Sequence, residues 1–396
     1  FHVYGAVVNG FGAFLTPRNL WNLSVQTSSI AIMATGMVLV IVTRHIDLSV
    51  GSVLGFCAIV MGVLQVNILP QFLGLGHPMI WVIAVVLALV AGTFVGWIQG
   101  LIIAYVGVPS FIVTLGGLLV WRGIAWWFNG GQTVAPLDPT FQLLGGGSRG
   151  SIGAGWSWVV GVLAVAGIVF SIVNGRRQRQ RFGFNLRPLW VDATMGALGT
   201  LFVLGAVYFL NRYYLPTSVA MEVAEEQGLE WPPEGLEISR GIAIPVLILI
   251  GVTLAMSFVA TRRRFGRYVF ALGGNPDAAE LGGINTKRTL VKVFALMGLL
   301  AGIAAVIGTA RLNAGVTSLG TLQELYVIAA AVIGGTSLAG GVGTIPGAVL
   351  GALVMQSLVS GMVLLGLDAP LQDIVVGVVL VVAVAVDSWY RRRVST

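Results

Sequence analysis

Apolar residues run along this chain in blocks of about 20, separated by short polar breaks, and about 20 mostly apolar residues are what a helix needs to cross a bilayer. Such blocks occupy 28–44, 51–69, 79–105, 111–128, 156–174 and 188–210, then 241–260, 289–309, 322–338, 344–366 and 369–389. Residues 1–14 read as the end of one more apolar segment, whose earlier part is expected to precede Phe1. The pattern therefore predicts an all-α, polytopic transmembrane bundle of about 12 spans, the first truncated. The polar breaks are too short for a soluble domain, so 1–396 reads as a single membrane domain. Two breaks stand out: a loop at 129–155 rich in Gly and Ser, and 211–240 with Glu222, Glu225, Glu226, Glu230, Glu234 and Glu237 beside Pro232 and Pro233.

Composition agrees with lipid as the main solvent. Hydrophobic residues make up 57% of the 396 positions and charged ones only 9%, with a mean hydropathy of +0.93. A soluble domain carries roughly a quarter charged residues. Cys57 is the sole cysteine, so no disulfide forms within the chain. A net charge of +7 would suggest nucleic acid in a soluble protein, but here the basic residues sort by membrane side and no nucleic-acid partner is expected. Arg176, Arg177, Arg179, Arg181 and Arg187 form one cluster; Arg262, Arg263, Arg264, Arg267, Lys287, Arg288 and Lys292 a second; Arg391, Arg392 and Arg393 a third. All three fall on one side of the alternating spans, which the positive-inside rule makes the cytoplasm, with both termini there and 211–240 outside.

The densest basic loop, 261–292, holds Gly274-Asn275-Pro276-Asp277-Ala278-Ala279-Glu280-Leu281-Gly282. Asn275 suits an N-cap, Pro276 the first helical position, and Asp277 the positive helix end. Gly282 or Gly283 supplies a left-handed stop. A helix of about six residues is too short to stand alone and gains order by docking, either into a partner's cleft as a coupling helix or as an ordinary interfacial turn.

Four stretches in order resemble ribose- and xylose-type ATP-binding-cassette (ABC) importer permeases: 45–52 (His45-Ile46-Asp47-Leu48-Ser49), 108–115 followed by Arg122-Gly123, 271–285, and 333–341 (Ile333-Gly334-Gly335-Thr336-Ser337). Residues 108–115 and the extra pair of spans at 156–210 look closest to the xylose-type branch. Tyr326 departs from the family, which usually has an acidic residue there. The resemblance implies a multi-pass protein of the bacterial inner membrane, working as a homodimer in lipid. It also implies two ATPase subunits holding ATP and Mg, each receiving one 274–282 helix, and a periplasmic sugar-binding protein. The chain itself would then be no enzyme and bind no cofactor. Consistently, it has no phosphate-binding G-x-x-x-x-G-K-[ST], and Gly343, Gly347 and Gly351 recur at the spacing of a small-residue packing face.

A neutral sugar needs hydroxyl and amide partners along its path. Gln26, Gln99, Thr114, Gln356, Ser357 and Ser360, with Ser28 and Thr35, are the polar residues inside apolar spans, although bonds between helices account for such residues equally well. Asp47 and Glu324 sit where spans begin and read as structural caps; Asp373 sits likewise. His2, His45 and His77 have no partner at metal-ligand spacing, so no metal is expected. An ion-coupled secondary transporter is the alternative, and it would require mid-span ionisable residues.

Overall fold

A computed structural model describes residues 1–2, 12–226, 228, 231–232 and 235–394, the side chains of 387–394 excepted. The predicted tail of a first span at 1–14 lies largely outside the described residues. So do Glu230, Pro233 and Glu234, and the side chains of Arg391 to Arg393. The chain divides into two compact units, one of 1–14, 23–147 and 245–396 and a second of 15–22 and 148–244.

Ten helices among the described residues are long and apolar enough to span. In the first unit these are α1 (Pro17–Val42, entering from the second unit), α2 (Val50–Leu73), α3 (Met79–Val106) and α4 (Ser110–Asn129). In the second they are α5 (Gly153–Arg181) and α6 (Leu189–Asn211), followed by the short α7 (Thr217–Glu226). The first unit resumes with α8 (Ile244–Arg262), the short α9 (Arg264–Gly274) and α10 (Pro276–Leu281), and then α11 (Thr286–Leu312). It ends with α12 (Gln323–Ile333), α13 (Ile345–Leu364) and α14 (Ala369–Val394). Enclosure sorts them: the most apolar stretch of α1 is 89% buried within the protein, that of α6 only 6%, so α1 is core and α6 is peripheral.

The block predicted as a full span at 322–338 is different. Its helix, α12, is 11 residues long and stops at Gly334, too short to cross alone. The crossing is completed by the non-helical segment 313–322, which runs antiparallel along α2. Gly315 packs on Gly62, Leu319 on Gly55 and Gly320 on Gly51. The segment 43–49 ahead of α2 is also non-helical and packed inside the unit: the His45 ring meets Phe294 edge-on at 6.2 Å, eight residues and about 12 Å into α11. The α12 crossing is thus half helix, half loop, whereas α2 is long enough to span and only its start lies inside the packed unit.

α3 and α11 hold the core together as an antiparallel pair. A Cβ at Gly298 would collide with the Gly92 carbonyl, and one at Gly96 with the carbonyl of Phe294; small residues let the two backbones touch. α12 and α13 pack the same way, Gly347 on Gly334 and Gly351 on Ala330, so two of the three spaced glycines form a packing face. Gly343 lies before α13 and fits between Val38, Val42 and Thr336.

In the second unit the Arg240 guanidinium lies between Trp21 and Tyr213, 4.9 and 4.6 Å from their ring centres. Trp21 Nε1 donates to the Gly241 carbonyl at 2.9 Å. Arg149 bridges Glu222 and Glu226 of α7 at 2.7 and 2.9 Å.

Candidate functional site

Where the starts of α2 and α12 meet, polar groups converge inside the first unit. Asp47 accepts from the Ser49 amide at 2.8 Å and from its hydroxyl at 2.6 Å, and Ser49 Oγ also contacts Gln99 Oε1 of α3 at 3.0 Å. Thr114 Oγ1 donates to Ser110 at 2.8 Å and faces the Ile46 carbonyl at 3.3 Å. From α4, Arg122 Nε donates to Ser52 at 3.3 Å, and its Nη1 reaches Thr321 beside α12. Glu324 stands in the first turn of α12 against Gly51. Asp47, Ser49, Gln99, Thr114 and Glu324 are all nearly sealed from solvent, Asp47 at 4% and Glu324 at 6% exposure.

This placement revises two expectations. Asp47 does not cap α2: the cap position is Ser49, and Asp47 holds Ser49 in place from two residues upstream. Asp47 and Glu324 were set aside because they sit at span ends, but those ends lie inside the packed unit. The structure therefore does contain two carboxylates, Asp47 and Glu324, buried inside the packed unit. Asp373, by contrast, is exposed.

Two further groups remain unsatisfied. Glu324 Oε2 and Gln99 Nε2 are buried and make no hydrogen bond within the protein. Non-helical backbone at this depth is tolerated where protein buries it or where it lines a path. The starts of α2 and α12 thus meet around two buried polar atoms that the protein leaves without a partner. Hydropathy cannot reveal this convergence, since α2 and α12 are distant in sequence.

The other polar candidates lie apart from this cluster. Gln356 Nε2 donates to Gln26 Oε1 at 2.7 Å, joining α1 to α13. Ser360 is buried one turn further and Ser357 is half-buried. Ser28 and Thr35 donate to Ser24 and Ile32 within α1 at 2.9 and 2.7 Å, which accounts for both without a solute.

At one end of the first unit, α10 has the caps its sequence implied. Asn275 Oδ1 accepts from the Ala278 amide at 3.0 Å, Pro276 opens the helix and Asp277 sits in its first turn. The left-handed stop is Gly283, with φ 81°, and not Gly282; Gly274 belongs to α9. Leu281 is 91% exposed, while Ala279 is buried against the chain itself. The start of α10 is tied down from two sides. Arg44 Nε donates to Gly273 at 2.9 Å and its Nη2 to Gly274 at 2.7 Å. Gly273 and Gly341 both pack on the carbonyl of Val42, which the Gly341 amide bonds at 3.0 Å. Among the described residues no three His, Cys, Asp or Glu side chains gather as a metal would need.

Residues 19–384 match the model of the family described as branched-chain amino acid transport system / permease component. The xylose transport system permease protein XylH of Escherichia coli (strain K12) is 40% identical over 96% of this chain and 88% of its own length. XylH of Haemophilus influenzae is 39% identical over 96% and 92%. The ribose import permease protein RbsC of Escherichia coli (strain K12) is 33% identical over 95% and 87%. No solved structure matches.

Proposed function

The chain belongs to the family of branched-chain amino acid transport system permease components, and from that premise we propose that it is the permease subunit of an ABC importer carrying a monosaccharide, D-xylose or a related pentose, into the cytoplasm. Full-length likeness to xylose permeases, above that to a ribose permease, supports the choice of sugar. The protein is a multi-pass component of the bacterial inner membrane. Its basic helix ends and α10 are cytoplasmic, as are both termini, and α7 is periplasmic.

α10 is the observation that carries this mechanism. It is a capped six-residue helix whose leucine stands almost fully in solvent. An isolated exposed leucine is ordinary, but on a knob this short it is what a groove in an ATPase subunit would enclose. Each of two permease copies would seat one α10 in one ATPase, and a periplasmic sugar-binding protein would deliver the sugar to the opposite face. ATP and Mg reside on the ATPase. Movement of α10 would open and close the polar junction of Asp47, Gln99 and Glu324, where the unbonded Gln99 Nε2 and Glu324 Oε2 would receive sugar hydroxyls in passing.

The test is uptake of labelled D-xylose into vesicles holding this chain with its ATPase subunit and binding protein. ATP-dependent uptake, lost without the ATPase, is expected. Uptake driven by a proton gradient without ATPase would make the protein an ion-coupled carrier, and the buried carboxylates would then be its coupling site.

A further inference from the structure

α5 and α6 pack along their length, Gly161 against Val207 and Gly199 against Ile168. Where α5 ends and α6 begins they leave a cavity of about 240 Å³ lined by Ile172, Arg176, Arg179, Arg187, Asp192 and Met195. Gly175 faces open space there, so no side chain closes the mouth from that side. Three guanidinium groups line the cavity beside a single carboxylate. Asp192 is taken by Arg176 at 2.8 Å, and Arg176 also donates to the Arg187 carbonyl at 3.0 Å. Arg179 donates to the Asn185 carbonyl at 3.3 Å. Arg187 Nη1 faces only the Met195 sulfur, a weak acceptor, at 3.7 Å. Most of the donor capacity of Arg179 and Arg187 is therefore unspent, and guanidinium forks match phosphate oxygens.

The surroundings say which phosphate. Beyond the cavity both helices continue as exposed apolar surface, Phe170 and Val173 on α5 and Leu198 and Phe202 on α6, and Phe182 and Phe184 in the connection between them and Trp190 at the start of α6 are exposed. Aromatic rings at that level and arginines beside them mark a bilayer interface. A free anion would use the arginines alone, whereas a phospholipid would use the apolar faces as well. We propose that this cavity binds the phosphate of an anionic phospholipid, with Arg179 and Arg187 on the phosphate and the acyl chains along α5 and α6. This does not depend on the sugar transported.

The test is native mass spectrometry of the purified full chain, delipidated and then given phosphatidylglycerol or phosphatidylcholine at equal concentration. Wild type should retain phosphatidylglycerol about 30-fold better, from roughly the attraction of two arginines near an anionic surface. Arg179→Gln/Arg187→Gln should bring the two lipids close to parity. Arg177→Gln/Arg181→Gln, which removes the same charge just outside the cavity, should keep the preference. Arg187→Gln alone alters one exposed side chain and should give part of the loss if the double variant folds poorly. Equal losses in both double variants would mean general surface attraction and overturn the site. Inorganic phosphate that binds and displaces phosphatidylglycerol at equal concentration would overturn the lipid assignment.

Discussion

Gln26 and Gln356, 330 residues apart, share one hydrogen bond of 2.7 Å between α1 and α13. An amide pair in an apolar setting leaves an orphan when one partner is removed, costing about 1–2 kcal/mol. Gln356→Leu should lower the melting temperature, and Gln26→Leu/Gln356→Leu should restore part of it. Uptake separates the two roles open to the pair. If the amides line the path, the double variant stays slow; recovery of full uptake along with stability would leave them as interhelical packing alone.

The exposed leucine of α10 gives a sharper test. Burying a leucine is worth about 1.5–3 kcal/mol, so Leu281→Ala should weaken ATPase binding by roughly 10- to 100-fold. Asp277→Arg and Glu280→Arg, both exposed, should weaken it through reversed charge at the contact. None of these changes should alter the melting temperature of the permease alone. Ala279→Trp should do so, because Ala279 is buried. Co-purification with the ATPase and sugar-stimulated ATP hydrolysis are the readouts, and normal values for Leu281→Ala would reduce α10 to an ordinary turn.

At the polar junction, Ser49 supplies both protein donors seen at Asp47. Ser49→Ala removes one and should cost about 1.5–3 kcal/mol if the carboxyl is charged, measured as thermal unfolding. Ser49→Thr keeps the hydroxyl and should cost less. Similar melting curves for Ser49→Ala and wild type would show that Asp47 does not rely on this bond.

Orientation is checked by single cysteines in a Cys57→Ala background, Cys57 being buried. Positions 179 and 264 should label only from the cytoplasm and position 225 only from outside. Labelling of all three from one face would reverse the side assigned to α10 and separate it from any cytoplasmic ATPase.

Most spanning helices were legible because an apolar block of the right length has one main use in lipid. α12 was not. The block 322–338 stays apolar through Ile333 and continues into Gly334 and Gly335, and hydropathy does not distinguish a helix that ends there from one that crosses. The short α10 was legible down to Asn275, since capping acts over three residues. Which of its faces is free was not: Ala279 and Leu281 are two residues apart, and only packing decides that one is buried and the other exposed. Asp47 lies two residues ahead of the α2 cap position and Glu324 in the first turn of α12, and the burial of both depends on segments 43–49 and 313–322, which have no periodicity to read.

The tie at the start of α10 also fixes how much slack the machine can have. Val42 leads directly into 43–49, which ends at the junction, and Gly341 lies a short loop beyond α12, which begins there. Arg44 and the packed glycines fasten α10 to both at once. A displacement of α10 should therefore pass to the two sides of the junction together, like one crank turning two rods, and not to each in turn. The lengths of these connections then matter more than their sequence. One extra residue between Ile46 and Asp47 should leave ATPase docking intact while hydrolysis runs without moving sugar.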